Sequence, residues 1–544
     1  MMKKSVYLLI IIMALAVFFR LWQITSIPPG LYPDEAMNGN NASEALQTGE
    51  YKIFYPENNG REGLFANLEA ISIKIFGNEP WALRLISAIF GILTVLGLYL
   101  LTKELFNNRT IALLASFFMA TSFWHIMFSR IGFRAIMAPA FLVWSMWLLW
   151  RLLGDSVSKQ TWRLSLQALL SGLLFGLGFH SYIAYRIAPL LLIPLFLILL
   201  KNKKIKPLII FCLGVFIAVL PLLIFFTQNP QDFFGRTSQI SIFSSESPIK
   251  ELAINVFKTI GMFFWFGDAN WRHNFAGAPE LWLPVAILFL IGILIGIWKL
   301  FKNFSAASGM KIGNLYEKFT SPEFFLLLWI AVMLLPVVIS SEGIPHALRA
   351  IIVIPPTMIF CALGLNWIIE KFKNWNEKQI IKFPNSQKQL LRIKKEVMVL
   401  LFVFLITVAS FTFIQYFFKW AYNPDVYYAF NENYAKIGRY LNNTPQDIKK
   451  YVIINAGGVE VNNIPMPSQT IMFITNTFLP DKQKEKKIYY ITEKKLDNFI
   501  EEAKNENNIQ IIMLENNSEL RQKLSDNIPG LYSYQDSSVL IQTK

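Results

Sequence analysis

Apolar residues in this chain come in long unbroken runs of about 20, the length that crosses a hydrocarbon core about 30 Å thick. Such runs cover residues 5–24, 82–102, 111–129, 135–152, 164–181, 184–200, 207–227, 281–300, 322–340, 350–369 and 396–419. The pattern predicts eleven membrane-spanning helices, with tight turns near 130–134 and 181–183. Two long polar interruptions break the series. Residues 25–81 hold two helix-like pieces, 34–47 and 63–76; in the second, Leu64, Leu68, Ile71 and Ile75 share one face, which predicts a helix lying in the membrane interface. Residues 228–280 mix Pro and Ser with an amphipathic stretch, 249–266, and an aromatic, polar tail, 265–273. Gly172, Gly176 and Gly178 have the small-residue spacing that lets helices approach closely, and we read them as packing.

After Trp420 the pattern shortens. A surface helix is predicted over 427–441, then strand-like runs at 451–455, 470–475, 487–491 and 509–514, the later ones separated by helical pieces at 493–504 and 518–524. Strands alternating with helices predict a small α/β domain. The chain therefore divides into a membrane domain, 1–420, and a small domain, 421–544. Gly457-Gly458 is too little for a nucleotide-binding fingerprint and reads as a turn.

Composition narrows the class. Charged residues are 16% of the chain against roughly 25% in soluble domains, so a soluble protein is excluded. A net charge of +15 would point to nucleic acid in a soluble protein, but here the basic residues sit between apolar runs. They are Lys103 and Arg109; Arg151, Lys159 and Arg163; Lys201, Lys203, Lys204 and Lys206; Lys302, Lys311 and Lys318; and a dense run from Lys371 to Lys395. With the N-terminus (Lys3, Lys4) inside, all of these fall in cytoplasmic loops, and an odd number of spans leaves the segment after 420 extracytoplasmic. We expect a multi-pass plasma-membrane protein in contact with membrane lipids and with no nucleic-acid partner. Residues 1–19 begin basic and turn apolar like a signal peptide, but no small-residue cleavage site precedes Arg20-Leu21-Trp22, so they read as an uncleaved helix. Cys212 and Cys361 both lie in predicted spans, which excludes a disulfide framework and a cysteine zinc site.

The candidate chemistry lies in Pro28-Pro29-Gly30-Leu31-Tyr32-Pro33-Asp34-Glu35-Ala36-Met37-Asn38-Gly39. Adjacent carboxylates where a helix leaves the bilayer are costly without a task. The plain structural explanation is that Asp34 caps the helix that follows a Pro-rich lead-in. The functional one is that Asp34, with Glu35, belongs to a catalytic pocket also holding Asn38, Asn40, Asn41, Glu57, Asn58, Arg61 and Glu62. A carboxylate can take a proton from an attacking hydroxyl or amine, and arginine holds a leaving phosphate bidentately. Further arginines stand at the predicted outer ends of spans, beside His and Tyr: Arg130 and Arg134, Arg186 after Tyr182, and Arg349 after His346. Snorkelling explains many such residues and is our reading for Arg84; for His346 with Arg349, three apart on one helical face, phosphate binding fits better. His125 reads as a packed histidine, and Asp268, Trp271 and His273 as either a sugar-binding group or an ordered loop.

These residues resemble a known group. Tyr32-Pro33-Asp34-Glu35-Ala36, Asn59-Gly60-Arg61-Glu62-Gly63-Leu64, the run from Ile75-Phe76-Gly77 to Arg84-Leu85, Phe128-Ser129-Arg130-Ile131-Gly132, and Ile344-Pro345-His346 with Arg349 and Pro355-Pro356 are similar to membrane glycosyltransferases of the GT-C fold. The branch is that of the protein O-mannosyltransferases and lipid A aminoarabinose transferases, and the resemblance covers roughly residues 5–370. It implies a mainly α, polytopic GT-C domain carrying an extracytoplasmic α/β domain. It also implies a polyprenyl-phosphate-sugar donor, an inverting transfer at the outer face to a lipid, glycan or protein acceptor, a first-loop base matching Asp34, and phosphate contacts matching Arg61 and Arg349. Arg61-Glu62 stands where aminoarabinose transferases tend to show Glu-Lys before Pro, and the extra domain of eukaryotic mannosyltransferases is missing, so the acceptor stays open. No Asp-x-Asp occurs in the first loop and no convincing ligand set accompanies Glu62, so we expect no metal and no cofactor. A lipid or sugar-lipid flippase is the competing reading; it predicts inverted repeats, which the sequence lacks, and leaves the Asp34 stretch without a role.

Overall fold

The computed structural model describes residues 2–154, 161–233, 242, 246–305, 321–382, 387–533 and 539–542. Lys159, Lys311 and Lys318 of the expected inner loops lie outside these residues, as does part of the 371–395 run. The chain forms two compact units, one of residues 1–22 and 87–420, the other of residues 23–86 and 421–544. The sequence placed 25–81 in the membrane domain. The structure groups it with the C-terminal segment instead, because helix Pro33–Thr48 buries its apolar side against Phe473 of helix Gln469–Thr475.

In the membrane unit, each of the eleven apolar runs forms a helix or a broken helix. Among the described residues, nine helices are long and apolar enough to span, Lys4–Leu21 and Pro80–Phe106 being the first two. A tenth span comes from Arg109–Ala120 with Phe123–Ser129, bent by 59°. The bend is a helix stop and restart, because the Ser122 side chain accepts from His125 N and caps the second piece. The remaining run is the 17-residue helix Pro322–Val338, shorter than a typical span. Helix Ile351–Asn376 is central, 83% of its apolar window being buried, whereas Lys395–Trp420 is peripheral at 11%.

Small residues decide how closely these helices pack. A Cβ on Gly172 would strike the backbone at Phe211, and one on Gly214 the backbone at Leu169 and Gly172, so helices Thr161–Leu177 and Ile205–Gln228 meet backbone to backbone. Gly178 serves otherwise, lying under the ring of Tyr185. Helix Met137–Gly154 is tied to Thr161–Leu177 by reciprocal bonds: Ser145 Oγ donates to Ser171 O at 2.9 Å, and Ser171 Oγ to Ser145 O at 2.8 Å.

The second unit opens with a two-residue ladder, β1 (Phe54–Tyr55) antiparallel to β2 (Arg61–Glu62). Helix Leu64–Phe76 follows. It buries Phe65, Ala66, Glu69, Ala70 and Ile73 and leaves Ile71 and Ile75 exposed, so the apolar face foreseen for the interface is the outward one. The later strands are β3 (Lys449–Ile454), β4 (Glu460–Val461) paired with β5 (Ile464–Pro465), β6 (Ile488–Thr492), β7 (Ile509–Met513), β8 (Leu531–Ser533) and β9 (Val539–Gln542). Five of them make one sheet in the order β6-β3-β7-β9-β8, with β3 parallel to β6 and β7, and β9 antiparallel to β7 and β8. Side chains alternate between two cores: Ile453, Ile511 and Met513 pack with helices Leu496–Ala503 and Ser518–Asn527, while Val452, Ile454 and Ile512 pack with Tyr434, Leu441, Ile471 and Met472.

Two expectations are corrected here. Residues 470–475 form a helix rather than a strand, since Ile471 and Met472 face the sheet while Phe473 turns to helix Pro33–Thr48; a six-residue apolar run does not distinguish the two states. The helix expected over 427–441 breaks at Asn431, whose φ of 52° ends Pro424–Ala429 and restarts the chain as Glu432–Asn443.

Candidate active site

Local chemistry builds the Asp34 stretch. Pro28 and Pro29 keep the lead-in out of helix. Gly30 then takes φ +56°, and a Cβ there would come within 2.7 Å of Glu432 N. Tyr32, extended, is the N-cap, and Pro33 occupies the first helical position. Asp34 is therefore the second residue of the helix and not its cap, which corrects the plain structural explanation.

The neighbouring carboxylates are treated oppositely. Glu35 is fully buried; Arg84 Nε donates to its Oε1 at 3.0 Å, while Arg84 NH2 (3.2 Å) and Tyr32 N (3.3 Å) donate to Oε2. Arg84 also donates to Pro28 O at 2.6 Å and Gly30 O at 2.9 Å, and its guanidinium lies 5.9 Å from the Phe430 ring centre. Arg84 thus does not snorkel, contrary to expectation: it clamps the Pro-rich lead-in onto Glu35. Glu35, expected beside Asp34 as a catalytic carboxylate, has both oxygens engaged and no exposure. Asp34 is half-buried and accepts a hydrogen bond from Asn58 Nδ2 at 2.7 Å. Asn58, Asn59 and Gly60 all have positive φ, and this turn between β1 and β2 is what carries Asn58 to Asp34. One helical turn beyond Asp34, Asn38 Oδ1 accepts from Arg61 NH1 at 2.8 Å; Arg61 and Glu62 are both buried on β2.

Glu69 escaped the sequence reading. It is fully buried with neither carboxylate oxygen hydrogen-bonded. Burial, reinforced by the charge of Glu35 and partly offset by Arg61, pushes its carboxyl well above the usual range. Its signal in sequence was faint, a lone Glu on a helix with exposed apolar residues on the other face.

In the membrane unit, the structure gathers Asp268, His273 and His346. His273 Nδ1 lies 3.0 Å and His346 Nδ1 3.6 Å from Asp268 Oδ2, which also accepts from Ala347 N at 2.9 Å. The two imidazoles lie 4.9 Å apart at 30°. Burial alone would raise the Asp268 pKa, but the hydrogen bond and charge of His273 and the charge of His346 outweigh it and hold it below the usual range. Asp268 N donates to Glu280 Oε1 at 3.2 Å, and burial, with the nearby Asp268 charge, pushes the Glu280 carboxyl well up.

The expected phosphate-binding residues of this unit make different contacts. Arg349 donates to Ser340 Oγ and, at 2.6 Å, to Glu342 O. Arg130 is fully buried, donates to Phe19 O at 3.1 Å and lies 5.0 Å from the Phe417 ring centre. It is thus an interior residue, not one at a span's exposed end. Arg134 opens the turn Arg134–Ile136 and is half-buried. Tyr182 is the half-buried N-cap of the turn Ile183–Leu191, in which Arg186 faces Phe233, donating to its O at 2.7 Å. His125 is packed as foreseen, its Nδ1 2.6 Å from Arg20, itself fully buried. An apolar cavity of about 240 Å³ is lined by Phe118, Phe123, Trp282, Met358, Val408 and Phe411. A second cavity, of about 740 Å³, lies in the other unit between residues 25–30 and the tyrosines Tyr422, Tyr427 and Tyr428, with Glu432 and Arg439.

The profile of one family, Dolichyl-phosphate-mannose-protein mannosyltransferase, matches residues 64–225, beginning after the Asp34 stretch. No curated protein sequence matches the chain. Among solved structures, ArnT from Cupriavidus metallidurans bound to undecaprenyl phosphate is similar at 12% identity and a TM-score of 0.58, with 98% of this chain and 97% of that one covered. The archaeal oligosaccharyltransferase AglB from Archaeoglobus fulgidus, in complex with an inhibitory peptide and a dolichol-phosphate, is similar at 13% identity and a TM-score of 0.50, over 92% of this chain and 70% of that one. At such identities the likeness speaks for the fold, and it agrees with the helix series: the chain is a multi-pass membrane protein with the GT-C fold of membrane glycosyltransferases.

Proposed function

We propose that the protein transfers a sugar from a polyprenyl-phosphate carrier to an acceptor at the extracytoplasmic face, with Asp34 as general base. The observation that carries this reading is the split between Asp34 and Glu35. Glu35 is locked by Arg84, and the clamp sets Asp34 on the first turn of its helix, half exposed, with one donor on one oxygen. In the transfer, the acceptor hydroxyl or amine passes its proton to Asp34 as its oxygen or nitrogen bonds to the anomeric carbon. The bond from that carbon to the phosphate oxygen breaks, and its electron pair leaves with the polyprenyl phosphate. One displacement inverts the anomeric centre and needs no second carboxylate. A phosphate leaving group needs charge stabilisation more than protonation. Arg61, buried on β2 and bonded to Asn38 one helical turn beyond Asp34, is the cation proposed for it. The resemblance to structures bound to undecaprenyl phosphate and dolichol-phosphate supports a lipid-linked donor.

The test is transfer of radiolabelled sugar from polyprenyl-phosphate donors by purified protein, wild type beside Asp34→Asn. Loss of transfer with donor binding intact is the expected result, and equal activity in both would overturn the assignment. For the acceptor, the 740 Å³ cavity with its three tyrosines supports a role for the C-terminal segment in recognition. Deleting 425–544 does not test this cleanly, since it strips Phe473 from helix Pro33–Thr48. Tyr428→Ala, at an exposed ring, is the better variant: a raised acceptor KM with unchanged donor KM is expected.

A further inference from the structure

We infer that the membrane unit holds a divalent transition-metal ion of the zinc type on Asp268, His273 and His346. This goes beyond the proposed transfer step, which uses no metal, and stands on separate residues.

Three atoms converge there. Nδ1 of His273 and Nδ1 of His346 approach one oxygen, Asp268 Oδ2, at 3.0 and 3.6 Å. One ligand atom from each of the three residues lies within 4.8 Å of the others. Ligand atoms about 2.0–2.1 Å from a tetrahedral zinc stand roughly 3.3 Å apart, midway between the two measured separations. His273 Nδ1 and Asp268 Oδ2 share one proton at 3.0 Å, and His346 Nδ1 stands 3.6 Å from the same oxygen with a 3.4 Å contact from Arg349 N. A cation at the centre replaces the shared proton, which is released to solvent.

The surroundings fit a site built to hold that carboxylate still. Asp268 Oδ1 accepts from Asn270 N at 2.8 Å, Oδ2 accepts from Ala347 N at 2.9 Å, and the backbone carbonyl accepts from Gly277 N at 2.9 Å. Oδ2 keeps a second lone pair for the ion. Glu280 pins the Asp268 amide. The rings of Phe128 and Phe133 pack against His273, at 5.8 and 6.5 Å, and orient it. Asp268 and His273 are buried while His346 is half-buried, which leaves a way in for the ion. Two imidazoles and one carboxylate suit zinc better than magnesium or calcium, which prefer all-oxygen shells. Three protein ligands leave a fourth position open, and the ion joins the 268–273 loop to the 346 turn across more than seventy residues of sequence.

The test uses the full-length detergent-purified chain, loaded with zinc chloride, passed through gel filtration and assayed for metal by mass spectrometry. About one equivalent per chain is expected, with loss of it in Asp268→Asn and in His346→Gln, and with a thermal midpoint that falls when wild type is stripped by EDTA. Failure of wild type to retain an equivalent would overturn the inference, as would full retention by both variants. Should the variants not fold, X-ray absorption on zinc-loaded wild type decides: imidazole scattering from two histidines supports the site, and an all-oxygen shell overturns it. Asp34→Asn separates the two proposals, because it is expected to keep its zinc while losing transfer.

Discussion

Asp34 and Asp268 are the same residue type in two different settings, one in each compact unit. Asp34 is half-buried, with a single donor, Asn58, on one oxygen. Asp268 is buried and receives Asn270 N, Ala347 N and His273 Nδ1 on its two oxygens. A carboxylate held by several donors fixes the loops that supply them, while one with lone pairs facing solvent is free to accept a proton. Glu35 makes the same point one residue away from Asp34, since its buried ion pair with Arg84 leaves both its oxygens engaged.

The sharpest way to break this comparison is Asp34→Asn. It keeps the oxygen that meets Asn58 and removes the base, so transfer should fall by roughly 10²- to 10⁴-fold while the thermal midpoint barely moves. A large drop in stability instead would make Asp34 a structural residue like Asp268. Next comes Arg84→Leu, which leaves Glu35 charged and buried without its partner. A loss of about 3–5 kcal/mol is expected, measured by thermal or denaturant unfolding. Arg84→Lys should recover little, because one ammonium does not reproduce the bonds to Glu35, Pro28 and Gly30.

A smaller effect is expected for Asn58→Ala. It removes the Asn58 donor from Asp34, and transfer should drop roughly tenfold, chiefly in kcat, with donor KM preserved. Unchanged kcat would mean that the turn at Asn58 to Gly60 does not orient the base. The smallest effect belongs to Glu69→Gln. Because the folded carboxyl holds its proton to a higher pH than the unfolded one, the folded state binds more protons, and stability declines as pH rises above the ordinary Glu value. Glutamine removes that decline, so the variant should match wild type near pH 5 and be more stable than it near pH 8. Equal midpoints at both pH values would place a charge partner beside Glu69.

Much of this was legible in the chain. Long apolar runs located the long apolar helices described in the membrane unit, since a bilayer imposes length and hydropathy on a span whatever it packs against. Strands β3, β6 and β7 were legible because buried parallel strands read as short continuous apolar runs. Strands β8 and β9 were not, being short pieces with mixed composition. The Asp34 stretch was recognisable as chemistry, but the roles within it were not. Arg84, read as an interfacial arginine, is the partner of a glutamate 49 positions earlier. Asp268 and His273 were noticed together, while His346 was assigned to phosphate and belongs beside them.

By itself the sequence determined the membrane class, the helix series and the residue types available for proton transfer, because solvent and backbone chemistry act locally. Only the tertiary structure decided which carboxylate is locked and which is open, that residues 23–86 pack with 421–544, and that three ligating side chains converge. Those outcomes depend on burial and on contacts between residues far apart in the chain, and no local pattern encodes them.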